Sequence, residues 1–132
     1  MSVKSQTVTN YEEFEKVVEE LDKKGEKAVL LFSGSKGASG LSWCPDCVGA
    51  EPVIEKYLSS KITKDLNLVR IELERTYFKD PKNPFRTSSK VRLSRVPTIM
   101  HWKGIKRLEE NECQNVELLE MFFEGYNNYK SQ

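Results

Sequence analysis

Ala28-Val29-Leu30-Leu31-Phe32 leads through the Gly- and Ser-rich residues 33–42 into Trp43-Cys44-Pro45-Asp46-Cys47. A strand that is apolar on both faces reads as a central strand covered by helices on each side. Residues 33–42 read as a loop. Residues 43–60 then read as a helix, with Pro45 in a first-turn position and Val53, Ile54, Tyr57 and Leu58 forming an apolar stripe. Pro52 is expected to kink it. Two cysteines three positions apart therefore stand where a loop becomes a helix, just beyond a buried strand. Cys44 meets the unpaired N–H groups and positive dipole end of the helix, which favour a thiolate. Cys47 lies one turn further along the same face, within reach of the first sulfur. This is the arrangement of a dithiol in which Cys44 is the nucleophile and Cys47 resolves the mixed disulfide. Trp43 would shield one side of the site. The Asp46 carboxylate favours the helix start but opposes negative charge on Cys44, and so tunes the acidity of that thiol.

Outward from this segment, Thr9 and Glu12 have the spacing of a capping box, and Phe14, Val17, Val18 and Leu21 recur at helical intervals until Gly25. Acids early in that helix and lysines late complement its dipole, which makes a solvated face. Residues 3–8 are a candidate edge strand. Residues 66–73 read as a second buried strand. Residues 74–86 carry Tyr77, Phe78, Pro81, Pro84 and Phe85 in a polar setting; they read as a long loop, followed by a short helix ending near Lys90. Val96-Pro97-Thr98-Ile99-Met100 opens a strand, Lys103-Gly104 supplies a turn, and residues 105–108 return as a hairpin. Val116, Leu118, Leu119, Phe122 and Phe123 define a closing helix. With no repeat and no boundary, residues 1–132 read as a single α/β domain, three layers α/β/α around a central mixed sheet.

The charge balance excludes other classes. Against 20 Asp plus Glu stand 21 Lys plus Arg, a net charge of +1 that offers no general attraction to nucleic acid or to an anionic membrane. The longest apolar run, residues 28–32, is far short of the roughly 20 residues that cross a bilayer. The N-terminal residues lack the apolar core of a secretory signal, so a cytoplasmic location is expected. In a reducing compartment a close cysteine pair is redox-active or metal-bound rather than structural. Zinc would need Cys113 and His101 as further ligands, and a second close pair is missing, so no metal is expected. His101 reads as a partly exposed surface residue and Cys113 as an ordinary thiol near a loop. Gly34, Gly37 and Gly40 lack the Gly-Lys-Ser/Thr ending of a phosphate cradle.

Trp43-Cys44-Pro45-Asp46-Cys47, Pro52 five residues beyond Cys47, and Val96-Pro97-Thr98 together resemble the thioredoxin family. Phe32-Ser33-Gly34-Ser35-Lys36, Ala50-Glu51-Pro52-Val53 and Tyr77-Phe78-Lys79-Asp80-Pro81 are similar to one branch of it, with a Cys-Pro-Asp-Cys core. The resemblance implies a thioredoxin fold, a cis bond before Pro97, and substrate binding along the backbone of Val96. It also implies a cytosolic protein-disulfide reductase that binds no cofactor. Its Cys44–Cys47 disulfide would receive electrons from NADPH through thioredoxin reductase, and would pass them to small disulfides such as cystine and to selected proteins. A monomer is expected, and the resemblance extends to the dynein light chain as a partner and to inflammatory signalling. One departure stands out: Ser33 and Gly34 follow the strand, with no acid where thioredoxins bury an Asp that assists the second thiol. The alternative is a redox-inert thioredoxin-like module that docks partners.

Overall fold

The apolar run becomes β2 (Val29–Gly34), the middle strand of a five-stranded mixed sheet in a computed structural model that describes residues 3–126. Before it come β1 (Val3–Val8) and α1 (Tyr11–Lys23); after it come α2 (Pro45–Lys61), β3 (Leu66–Leu73), α3 (Arg75–Lys79) and α4 (Pro84–Thr87). The chain continues through β4 (Thr98–His101), β5 (Arg107–Glu109), a 3-10 turn at Glu110–Gln114 and α5 (Val116–Phe122). The strand order is β1-β3-β2-β4-β5. β3 lies parallel to both β1 and β2, so Ile71 stands opposite Val8 on one side and Phe32 on the other. β4 runs antiparallel to β2, pairing Ile99 with Leu31, and β5 runs antiparallel to β4.

Side-chain alternation along β2 splits the core between two faces. Leu30 and Phe32 pack with Phe14, Val18 and Leu21 of α1, and with Phe78, Phe85 and Leu93 from the segment beyond β3. Val29 and Leu31 pack with Ala50, Ile54 and Tyr57 of α2 and with Leu119 and Phe122 of α5. Helices thus cover both sides of the sheet, as the two-sided apolar run requires.

Several boundaries differ from the sequence reading. The cap of α1 is Asn10, whose side chain accepts the Glu13 N–H at 2.9 Å. Thr9 sits outside the helix and donates its N–H to the Glu13 carboxylate at 2.9 Å, so the reciprocal cap is shifted by one residue from Thr9–Glu12. α2 starts at Pro45, two residues later than predicted, and continues through Pro52. Residues 74–86 are not a plain loop: Asn83 accepts the Phe85 N–H at 2.7 Å and starts α4, and burial of Phe78 and Phe85 anchors both short helices. α4 ends at Thr87, before the predicted Lys90. β4 begins at Thr98, because Val96 and Pro97 turn along the site instead of joining the ladder. Ile105 does not return to the sheet; it is 99% exposed, and the pairing resumes with Arg107 opposite Met100. Val116 begins α5 but is exposed, leaving Leu119 and Phe122 to bury its inner face.

Candidate active site

At the end of β2 the chain turns through residues 35–44 and enters α2 with Cys44 as the capping residue. The backbone of Cys44 is extended, and its Sγ accepts the Cys47 N–H at 3.2 Å, the place an oxygen occupies at an ordinary cap. Pro45 is the first helical residue, where its missing N–H is no loss, and Asp46 follows it on the exposed side. The Cys44 thiol donates to the Val96 carbonyl at 3.5 Å, and the Val96–Pro97 peptide is cis. The segment after the short helices therefore comes up against the first sulfur. Both cysteines are free.

Exposure of Cys44 is lower than a loop–helix junction implies: 5% of its surface remains, against 4% for Cys47. What separates the two is the space each one borders. Cys44 lines an open groove with Trp43, Asp46, Val96 and Phe78. Cys47 borders a different space, a cavity of about 30 Å³ shared with Pro97, Ser33, Lys36, Glu51 and Glu72. Burial, reinforced by the adjacent Cys44 sulfur, pushes the Cys47 thiol far above the ordinary cysteine range. The Gly34 N–H donates to Cys47 Sγ at 3.4 Å. Gly34 is required there by close approach, since a Cβ would lie 2.7 Å from the Trp43 ring.

Trp43 forms one wall of the groove. Its indole N–H donates to the Leu73 carbonyl at 2.8 Å and its ring packs against Phe78, with centroids 5.7 Å apart. The groove is ringed by Arg75, Lys79, Arg86 and Arg95, against the acids Asp46 and Glu110. Arg86 is tied down over the Phe78 ring at 4.3 Å, and Arg95 leans on Glu110 at 3.8 Å. Arg75 and Lys79 have no ion-pair partner among the described residues, and they stand four apart on α3. Like charges at that spacing oppose the helix. This cationic rim is not legible in a segment that reads as a loop; the four-residue spacing is the available signal. Nor is the Lys36–Glu51 ion pair at 2.6 Å legible, although Glu51 follows Cys47 at helical spacing.

The other candidates lie elsewhere. Cys113 is in the 3-10 turn rather than near a loop, fully buried, and donates to the Leu108 and Pro97 carbonyls at 3.5 and 3.7 Å. Burial pushes its thiol up to about 12. His101 is half-buried at the end of β4, stacked on Phe122 at 4.0 Å, with Nε2 2.9 Å from the Phe122 carbonyl. No group of three or more His, Cys, Asp or Glu is placed to hold a metal ion among the described residues. No helix among them is long and apolar enough to cross a membrane.

A sheet ordered this way, with a Cys-x-x-Cys pair at the start of the helix after its central strand and the carbonyl before a cis-proline against the first sulfur, defines a thioredoxin-type domain. Residues 7–125 match the family model described as thioredoxin domain-containing protein 17-like, thioredoxin domain, and the chain belongs to that family. It is 41% identical to thioredoxin domain-containing protein 17 of Mus musculus over 118 residues, covering 89% of this chain and 92% of that protein. The Homo sapiens protein of the same name is 40% identical over the same shares. Thioredoxin-like protein Clot of Arabidopsis thaliana is 37% identical over 89 residues, 64% of this chain and 66% of that one.

Proposed function

We propose that this chain is a cytoplasmic thiol–disulfide oxidoreductase of the protein-disulfide reductase type. The observation that carries the reading is the division of labour between the sulfurs: Cys44 caps α2 and borders the open groove, while Cys47 stands one turn behind it, buried against a separate small cavity. Cys44 attacks one sulfur of a bound disulfide; the S–S bond breaks, and half of the substrate leaves with its electron pair and takes up a proton. Cys47 then attacks Cys44, releases the second half as a thiol, and leaves a Cys44–Cys47 disulfide. NADPH, through thioredoxin reductase, would return two electrons and one proton, and solvent the second proton. Val96, held by the cis bond to Pro97, lines the groove along which an extended substrate lies, Trp43 shields its far wall, and Asp46 tempers the charge that develops on Cys44.

The cationic rim supports small disulfides that present carboxylates, such as cystine, a net-neutral zwitterion whose two carboxylates can face the rim, alongside selected protein disulfides. A single-domain monomer without a bound cofactor is sufficient for this cycle. The experiment is NADPH oxidation with thioredoxin reductase and cystine. Turnover is expected in the native chain and in Cys113→Ser, and is lost in Cys44→Ser and Cys47→Ser. If the native chain does not turn over while it still binds a partner such as the dynein light chain, it is a docking module instead. Cys47→Ser also traps substrates as mixed disulfides on Cys44, which identifies the proteins it acts on.

A further inference from the structure

We infer that Glu51, positioned by Lys36, is the residue through which the Cys47 thiol gives up its proton in the resolving step. The inference rests on the dithiol-reductase reading. Cys47 must lose a proton before it can attack, yet it is 4% exposed and its thiol is held protonated by burial. The β2 residues that border its cavity are Leu31, Ser33 and Gly34, none of which ionises. The proton must therefore leave by another side of that cavity.

Glu51 provides that side. It follows Cys47 by four residues on α2, which puts it one turn further along the same face. The cavity between them, about 30 Å³ and lined by Ser33 and Ser42, is large and polar enough for a water molecule. Lys36 reaches over from the loop and fixes the Glu51 carboxylate at 2.6 Å, and the two side chains are 43% and 46% exposed. One end of this path is a buried thiol and the other end exchanges protons with solvent. The remaining charged neighbours suit the role less. Glu55 is a turn further on and is engaged with Arg70 at 2.8 Å. Glu72 approaches from β3, opposite Ser33. Cys44 faces the groove.

In the step itself, the Cys47 proton passes to the water, which hands a proton to the Glu51 carboxylate. The electron pair left on Cys47 forms the bond to Cys44. The bond from Cys44 to the substrate sulfur breaks, and that sulfur departs with the pair and is protonated from Glu51 or solvent. Glu51 is thus a positioning residue for the proton and touches neither substrate nor reacting sulfur.

The test uses the reduced full chain mixed rapidly with dithiobis(nitrobenzoate), which releases one coloured thiolate as Cys44 attacks and a second as Cys47 resolves. The rate of the second phase is followed against pH. In Glu51→Gln it is expected to be at least ~10-fold slower than native at neutral pH and to climb with hydroxide, with partial recovery in Glu51→Asp. Lys36→Met, which leaves the carboxylate unpositioned, should slow it less. A second phase with native rate and pH profile in Glu51→Gln overturns the relay. Slowing confined to Glu72→Gln overturns its assignment to Glu51. A native chain that never releases the second thiolate overturns the dithiol reading itself, and thermal unfolding of each variant separates chemistry from loss of fold.

Discussion

Replacing Gly34 by Ala adds one methyl group where β2 passes beneath Ser42 and Trp43. The new Cβ would stand 2.7 Å from Trp43 Cε2 and 2.7 Å from Ser42 Oγ. Ordinary contacts begin near 3.4 Å, so the indole must retreat by roughly 0.7 Å. Its N–H bond to the Leu73 carbonyl is 2.8 Å long, and a retreat of that size along the bond stretches it to roughly 3.5 Å, past the useful range. Ser42 has little room to yield, because its hydroxyl donates to the Gly34 carbonyl at 2.8 Å and accepts the Cys44 N–H at 3.1 Å. Overpacking of this kind costs about 1–3 kcal/mol and the weakened hydrogen bond about 1 kcal/mol more, so about 2–4 kcal/mol is expected. Urea unfolding of the reduced protein measures it. With a slope of about 2 kcal/mol/M, the midpoint should fall by ~1–2 M at unchanged slope. The displacement is centred on the loop that holds the sulfurs, so the rate at which maleimide labels Cys44 should change as well. A midpoint within about 0.3 M of native, with unchanged labelling, would refute the reasoning.

Reversing the rim with Arg75→Glu and Lys79→Glu should lower kcat/KM for dithiodipropionate, a dianion, relative to cystamine, a dication, by about 10-fold at low salt, with the gap closing as salt is added. An unchanged ratio would show that the rim does not select charge. Cys113, buried and pushed up to about 12, should resist iodoacetamide at neutral pH until the protein unfolds, so labelling faster than global unfolding contradicts its placement. Burial lowers the His101 pKa from its ordinary 6.5, so the folded state binds fewer protons than the unfolded chain. Its contribution to stability is therefore complete above about pH 6.5 and declines as pH falls through that value. His101→Phe should flatten the pH dependence of stability between about pH 7 and 5, and a slope identical to native would count against the assignment.

The dithiol and the layer order were legible because each rests on local rules. Five apolar residues in a row have to be covered on both faces, and a proline one position into a helix marks its start wherever it occurs. The short helices α3 and α4 were hidden for the opposite reason. Five- and four-residue helices have too few turns for periodicity, and these are held by distant partners: Phe85 packs on Tyr11, Phe14 and Phe32, and Tyr77 receives the Tyr11 N–H at 3.3 Å. The groove's charge was hidden with them. The covering of Cys44 is not legible at the loop–helix junction, because the wall that covers it comes from Val96, some fifty residues away in sequence and brought there by β4. The same holds for the cavity behind Cys47, whose lining residues come from β2, the following loop, α2, β3 and Pro97.

The sheet has two rims, and each is finished differently. Among the described residues β1 has β3 as its single neighbour, and it presents Lys4, Ser5, Gln6 and Thr7 as an exposed, polar border with a charge set into it. β5 is three residues long, flanked by the exposed turn that carries Ile105 and by Glu110, whose φ of +54° breaks the extended path. A stranger's strand seeking backbone hydrogen bonds finds a lysine at one border and almost no length at the other. The proposed reductase would meet partly unfolded molecules with unsatisfied edges, and these two rims give such edges little to pair with.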